Sequence, residues 1–276
     1  MKIETVNYTC MQITKITDNL NSALIGSTGF VGSTLQRDYK FTHGYHSTDI
    51  DNIDNKSFDV VVCAGASAKK YLANQDPATD ERNIDSLISH LKTIKAKLFV
   101  LISTVDVFKS PIDIDEHTKV DLNDLHAYGK NRYKLEQFVK ENFTNHLIVR
   151  LPGLVGVGLR KNIIYDFKHN NNVEKIESRN VFQFYPMKNL FKDINIALEN
   201  NLNLVHLTAA PISVSEVASF AFNREFTNHL DSKLVNYNFK TVYANLWKSS
   251  SDYQYSKDQS LEAIKEYAQS LEDGDK

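Results

Sequence analysis

A chain of 276 residues, 42% hydrophobic and 24% charged, can bury a sizeable core in one large domain, or one domain and a small lobe, without covalent staples. Its formal net charge of -2 gives no electrostatic case for nucleic acid or an anionic membrane surface as a partner. Two cysteines, Cys10 and Cys63, make no disulfide framework, and no stretch approaches the roughly 18 apolar residues of a membrane span, so the expectation is a cytoplasmic protein with neither a nucleic-acid nor a membrane partner.

Residues 1–20 alternate weakly at Met11, Ile13 and Ile16 and predict an N-terminal extension, either an added strand or an arm. A regular pattern then begins. Residues 22–25 form a short apolar strand, a glycine turn follows, and a helix runs from about 29 to 39. A second buried strand covers 58–62, with Cys63 continuing it as a small core hydrophobe. Over 79–96, Ile84, Leu87, Ile88, Leu91 and Ile94 share one helical face. A third strand at 98–102, a helix over 125–142 and a fourth strand at 146–151 complete the regular part. Beyond Pro152 the pattern changes: Gly153, Gly156 and Gly158 interrupt it, and 170–172 reads as a loop. A helix near 187–200 and a strand at 204–207 follow, Ser213 with Glu216 reads as a capping box, and a last helix lies near 258–271.

Continuous apolar strands alternating with amphipathic helices predict an α/β fold, a doubly wound parallel sheet of Rossmann-like type over 21–152. Residues 153–276 are expected to form a smaller carboxyl-terminal lobe with elements returning to the sheet.

The turn carries the first chemical signal. Gly26, Gly29 and Gly32 follow a strand and open a helix. Gly26 permits the sharp turn, Gly29 lets backbone approach a pyrophosphate, and Gly32 permits close helix packing. The helix N-terminus then offers free amides and a partial positive charge to an anion. With its Gly-x-x-Gly-x-x-Gly spacing, this segment resembles the turn of the extended short-chain dehydrogenase/reductase superfamily, which contains nucleotide-sugar epimerases, dehydratases and reductases. The resemblance implies NAD or NADP as cofactor, held by Gly26, Ser27, Thr28, Gly29, Phe30, Val31 and Gly32, by Ala64, Gly65 and Ala66, and by Leu151. Asp49 would serve the ribose of NAD if the second strand of the family ends late; if it ends at His46 and Ser47, a 2′-phosphate would meet a hydroxyl and an imidazole.

In the 125–142 helix, Leu125, Tyr128, Arg132, Leu135 and Val139 recur at helical spacing and share a face with Phe138. Arg132 therefore points inward, one turn from Tyr128, and needs a carboxylate, a phosphate or a hydroxyl-rich ligand. Tyr128-x-x-x-Arg132 resembles the superfamily's catalytic Tyr-x-x-x-Lys, with arginine in place of lysine. It implies Tyr128 as acid/base, with Arg132 orienting the cofactor ribose and tuning Tyr128, or alternatively a structural pair. The segment 103–108 resembles the strand-end Ser-Ser/Thr-x-x-Val-Tyr of the family and places Thr104 as the substrate-binding hydroxyl, unless that hydroxyl only bonds local backbone. Val105 and Asp106 stand where the dehydratases have Asp-Glu, which argues against a dehydratase and leaves Asp106 as a site residue or a loop-capping carboxylate. Glu116 matches a glutamate often found before the tyrosine.

Residues 150–156 resemble the family's Arg-x-x-Asn-x-x-Gly, with Gly153 in place of the asparagine that touches the sugar-nucleotide diphosphate. Arg160, Lys161 and Asn162 follow as a diphosphate-gripping or simply solvated loop, and Gln183, Tyr185 and Lys188 are further pocket candidates. No metal is implied. The resemblance thus implies an NAD(P)-dependent nucleotide-sugar reductase or 4-epimerase of polysaccharide biosynthesis, in which the helices near 79–96 and 125–142 pair across a homodimer. The alternative is a catalytically degenerate NAD(P)-binding regulatory or partner protein of the same superfamily.

Overall fold

The computed structural model describes residues 13–270. Six parallel strands form the central sheet: β1 (Ser22–Ile25), β2 (His43–Tyr45), β3 (Ser57–Cys63), β4 (Lys95–Thr104), β6 (His146–Leu151) and β10 (Leu204–His206). Their spatial order is β10-β6-β4-β3-β1-β2. The short strands are β5 (Ile112–Ile114), β7 (Gly153–Val155), β8 (Val181–Phe182), β9 (Phe184–Pro186), β11 (Ile212–Ser213) and β12 (Asn238–Phe239), which pair outside the sheet as β12–β5, β7–β9 and β11–β8. The helices are α1 (Phe30–Asp38), α2 (Lys70–Gln75), α3 (Pro77–Leu91), α4 (Ala127–Asn142), α5 (Ile163–His169), α6 (Leu190–Glu199), α7 (Val214–Phe222) and α8 (Lys257–Gln269).

The strands are apolar on both faces because helices cover both. Leu24, Val60, Val62, Leu98, Val100 and Val149 face α1 and α6 and meet Leu35, Leu190 and Ile194. Their strand neighbours Ala23, Ile25, Val61, Phe99, Leu101 and Ile148 face α3 and α4 and meet Ile84, Leu87, Leu135 and Val139. This alternation is the period-2 geometry of a strand, and each fully buried Leu, Ile or Val contributes about 1.5–3 kcal/mol. Cys63 belongs to the second layer, and burial pushes its thiol up to about 11. A separate core built from α5, α7 and α8 holds the carboxyl-terminal lobe, with Ile164, Phe167, Val217, Ala218 and Ile264 at its centre.

The sequence expectations differ from the structure at a few places. The helix α2 went unread, because a six-residue element carries too little periodicity. The predicted 79–96 helix begins earlier, at Pro77 behind an Asp76 cap, and ends at Leu91. Ser213 and Glu216 do form a capping box at the start of α7. In the extension, Met11 and Cys10 lie outside the described residues, while Ile16 is buried and its amide donates to Asn195 Oδ1 at 2.7 Å, so this part is an arm rather than a strand.

A buried polar network ties α4 to β6 and β10. Arg150 donates to Glu136 through Nε (3.0 Å) and Nη2 (2.7 Å), and Ser103 Oγ donates to the same carboxylate at 2.6 Å. Arg150 Nη1 lies 3.3 Å from His206 Nε2, and His206 Nδ1 donates to the Lys240 carbonyl at 3.0 Å. Replacing Glu136 by glutamine leaves the Arg150 guanidinium buried without a counter-charge, an expected loss of about 3–5 kcal/mol read from the urea midpoint. Burial, with Arg150 beside it, holds His206 well below its ordinary 6.5. The unfolded chain therefore binds a proton that the folded chain refuses. Stability should fall as pH drops below about 6.5, with a slope contribution approaching ~1.4 kcal/mol per pH unit that His206→Gln removes.

Candidate functional site

The strand order reverses at β1, which has β2 on one side and β3 on the other. A crevice opens there at the carboxyl ends of the strands, the usual ligand position in open α/β sheets. Gly26 leaves β1 with φ +83°, and its amide donates to the Tyr45 carbonyl at 2.8 Å. A Cβ on Gly26 would lie 2.4 Å from the Ala64 carbonyl oxygen, and one on Gly32 would lie 2.2 Å from the Gly26 carbonyl oxygen. The turn is therefore clamped between the end of β3 and the first turn of α1. Gly29 is the N-cap of α1, and no side chain caps the helix. Ser27 is occupied with the Tyr45 carbonyl at 3.2 Å, Thr28 is exposed, and Phe30 and Val31 lean on the core. Ala64, Gly65 and Ala66 follow β3 at the same edge, and Leu151 is buried at the end of β6.

β2 ends at Tyr45, so His46 and Ser47 are the first residues past its carboxyl end. Asp49 turns back: Oδ1 accepts the His46 amide at 2.7 Å and Oδ2 lies 3.1 Å from His46 Nε2. Of the two alternatives for this strand, the early ending is the one observed.

Thr104 ends β4 and its Oγ1 accepts the Asp106 amide at 3.2 Å, which leaves its hydroxyl proton free to face the Tyr128 phenol. Tyr128 is buried in the first turn of α4, whose N-cap is His126 and whose own amide donates to Asn74 Oδ1 at 3.0 Å. Gly129 lets this helix press onto the turn after β4, since a Cβ there would meet the Asp106 carbonyl at 2.3 Å. Burial pushes Tyr128 up to about 12; Arg132 opposes the rise, while Asp106 and Asp80 add to it.

Arg132 is 3% exposed, and its guanidinium carbon stands 3.9 Å from the centre of the Tyr128 ring. Nη1 donates to Asp80 Oδ2, Nη2 donates to the Ser67 carbonyl, and Nε has no partner. Asn131 Nδ2 donates to the same Asp80 oxygen at 2.8 Å. The inward arginine thus has the carboxylate of Asp80 as its protein partner. Asp80 was missed in the sequence, although it occupies the inward stripe of α3 with Ile84, Leu87 and Leu91, where a charge is as conspicuous as Arg132 is on α4.

Asp106 is not a loop cap. Its Oδ1 accepts from Lys70 Nζ at 2.7 Å and from the Tyr237 hydroxyl at 3.4 Å, two partners that sequence reading did not single out. Val105 is buried in a cluster with Phe108 and Phe239 and does not face the site. Lys161 crosses the crevice mouth to donate to the Ala68 carbonyl, and burial lowers its ammonium. Arg160 is exposed. Asn162 is a helix cap instead of a ligand-binding side chain: Oδ1 accepts the Ile164 amide at 3.0 Å and Nδ2 donates to the Leu154 carbonyl at 2.9 Å.

Three further candidates are structural. Gln183 is fully buried and saturated by Thr208, Ala209 and Phe239; Tyr185 donates to Asp193 at 2.5 Å; Lys188 pairs with Glu266 on the surface. Glu116 staples the lobe to the sheet by accepting from the His206 and Val242 amides and the Thr241 hydroxyl. An asparagine in place of Gly153 has no room, because a Cβ there would lie 2.7 Å from the Gln183 carbonyl oxygen. A cavity of about 220 Å³ lies behind α1, lined by Thr34, Arg37, Val155, Met187 and Tyr267, away from Tyr128 and Thr104. No helix among the described residues is long and apolar enough to cross a membrane.

No family model and no curated protein matches the sequence. Solved structures do match the fold. UDP-N-acetylglucosamine 4-epimerase from Methanobrevibacter ruminantium superposes with a TM-score of 0.70 at 14% identity, over 91% of this chain and 98% of that one. UDP-glucose 4-epimerase from Thermotoga maritima gives 0.68 at 14% identity, over 90% and 98%. dTDP-4-dehydrorhamnose reductase from Bacillus anthracis, solved with NADP, gives 0.67 at 18% identity, over 91% and 98%. The chain therefore has the Rossmann-like fold of nucleotide-sugar epimerases and reductases.

The two glycine contacts make unequal demands. Gly32→Ala should cost about 1–3 kcal/mol by overpacking against the turn. Gly29→Ala should cost clearly less, its Cβ meeting only the Gly26 carbonyl oxygen at 3.3 Å. Thermal melts of the two variants check this, and equal losses would contradict the clamp.

Proposed function

We propose that this chain is an NAD(P)-dependent oxidoreductase or epimerase acting on a nucleotide-linked sugar, by 4-keto reduction or 4-epimerisation, with Tyr128 as the group that moves the proton. The observation that carries it is the position of Tyr128 and Thr104 at the same sheet edge as the glycine turn and an uncapped helix N-terminus. The solved neighbours support this class of chemistry, since they are epimerases and a reductase of nucleotide sugars.

The chain's residues suit a dinucleotide. Gly26 and Gly32 let the turn close tightly on β3 and α1, which presents the free amides at the start of α1 to a pyrophosphate. When bound, the nicotinamide supplies or accepts the hydride. His46 and Ser47, first past β2, suit a 2′-phosphate better than Asp49 suits a free ribose, because Asp49 is already turned onto His46. Thr104 holds the reacting sugar oxygen and Tyr128 exchanges a proton with it. Lys161, at the mouth, is placed to meet a diphosphate once it leaves the Ala68 carbonyl.

A second function is a cofactor-binding partner protein without catalysis. It is favoured by the commitment of Arg132 to Asp80 and by the absence of room for an asparagine at position 153. Calorimetry separates the two. The enzyme binds NADP(H) or NAD(H) and then a UDP- or dTDP-sugar; the partner protein binds only the dinucleotide. A dinucleotide at 100 times its Kd should add about 2.7 kcal/mol of stability, visible as a rise in Tm, and Gly32→Ala should abolish the rise. Tyr128→Phe should leave that rise intact and lower turnover of a sugar substrate at least ~100-fold. Unchanged turnover would remove Tyr128 from the chemistry.

A further inference from the structure

The helix that carries Tyr128 is capped by a side chain whose charge changes within reach of neutral pH. α4 begins behind His126, and His126 Nδ1 accepts the Gly129 amide at 3.0 Å. The other capping side chains on the described α-helices are Asp76, Asn162, Ser213 and Ser256, none of which changes charge between about pH 5 and 8. Turning the imidazole over would set a carbon against the Gly129 amide, so this hydrogen bond assigns the ring: Nδ1 is the bare acceptor and Nε2 carries the proton. The charged groups that act on the ring are Lys70 from α2, Asp106 from the turn after β4, and Arg132 from α4 itself. The Tyr128 ring lies alongside, centroid to centroid at 6.3 Å. Burial first, and Lys70 next, favour the neutral imidazole; Arg132 adds to this and Asp106 opposes it. Gly129 is buried, so its amide is costly to leave without an acceptor.

We propose that His126 is a positioning residue that holds the Tyr128 turn only while its imidazole is neutral, and so closes the candidate site to chemistry in acid. Protonation puts a hydrogen on Nδ1, where it meets the Gly129 N–H head-on, and the cap is lost. It also places a cation at a helix N-terminus, against the helix dipole and close to Lys70. The capped form therefore refuses a proton that the released imidazole accepts near its ordinary 6.5, so falling pH draws the turn open. What opens is the turn of residues 127–129, with Tyr128 in its middle. The Tyr128 amide keeps Asn74 Oδ1 at 3.0 Å, which tethers the backbone, but the placement of the phenol against Thr104 depends on the shape of the turn. The bearing on turnover rests on Tyr128 moving the proton in the function proposed above; the cap itself needs no ligand. Asparagine, a good N-cap that does not titrate, would keep the turn at every pH, and alanine would lose it at every pH.

The test is nuclear magnetic resonance on the ¹⁵N-labelled, ligand-free protein. At about pH 7.5 the His126 ring should show an unprotonated Nδ1 and a protonated Nε2. Between about pH 7.5 and 5, the protection of the Gly129 amide against hydrogen exchange, corrected for the intrinsic rate, should fall about tenfold. His126→Asn should hold that protection within about twofold over the same range, and His126→Ala should lower it at both ends. A ring that carries its proton on Nδ1 at about pH 7.5 overturns the proposal. So does Gly129 protection that does not fall in acid, or that falls equally in His126→Asn, which would put the change on another group such as His206. The ring spectrum and the exchange of the unsubstituted protein need no variant, so they decide even if a variant does not fold. Failure of the proposed function would appear elsewhere, as absent dinucleotide binding, since these spectra use no ligand.

Discussion

The fold turns on one steric constraint: three backbone segments meet where Gly26 leaves β1, and none of them leaves space for a side chain. The Ala64 carbonyl presses on it from β3, and Gly32 presses on its own carbonyl from α1. That contact fixes the direction in which α1 departs and brings its first amides to the reversal point of the sheet. The α1 face then packs Leu35 onto the β1–β3–β4 layer, so the register of the apolar core and the geometry of the crevice share one origin. A larger residue at either glycine would therefore disturb stability and the placement of the first α1 amides together.

A second principle governs the carboxyl edge. Charged and polar side chains occur there in two groups with different consequences. Glu136, Arg150, Ser103 and His206 are almost completely buried, and their bonds are directed at one another. They hold α4, β4, β6 and β10 in fixed relation, which sets where Tyr128 stands relative to Thr104. Asp80, Arg132, Asp106 and Lys70 lie closer to the crevice and set the field at Tyr128 rather than its position. Truncating one member of the first group should loosen the scaffold. Altering the second should change how tightly Tyr128 holds its proton.

Much of this was legible in the sequence because it is local. Strand–turn–helix with glycines three apart, apolar runs of five and helical stripes of four or five residues all encode their own geometry. Tyr128, Arg132 and Thr104 were singled out by motif, and the structure brings Tyr128 and Thr104 face to face. What escaped depends on distance along the chain. Asp80 and Arg132 are 52 residues apart, and Asp106 and Tyr237 are 131 apart. Their meeting follows from which helices pack side by side, and a single sequence does not state that. Asn162 and Gln183 misled for a related reason: polar side chains near a glycine-rich loop look alike whether they face a ligand or satisfy backbone amides and carbonyls. Asp80 alone left a trace, as a carboxylate on an otherwise apolar stripe, and pairing it with the inward Arg132 would have predicted how α3 and α4 pack.

Arginine at position 132, where the motif that this segment resembles has lysine, also has a physical logic. A lysine facing a half-closed crevice can lose its proton or extend toward solvent when no anion is near. An arginine can do neither, since its guanidinium stays charged at any accessible pH. Placed on the inward face of α4, Arg132 needs a permanent anion, and the one within reach is Asp80. The substitution therefore involves two residues rather than one. Its effect on Tyr128 is smaller than charge counting at position 132 alone would give, because the Asp80 carboxylate that arrives with it acts in the opposite sense. The side chain that remains is a flat, hydrogen-bonded plate against the tyrosine ring, which holds the phenol in place while opposing the rise that burial imposes on it.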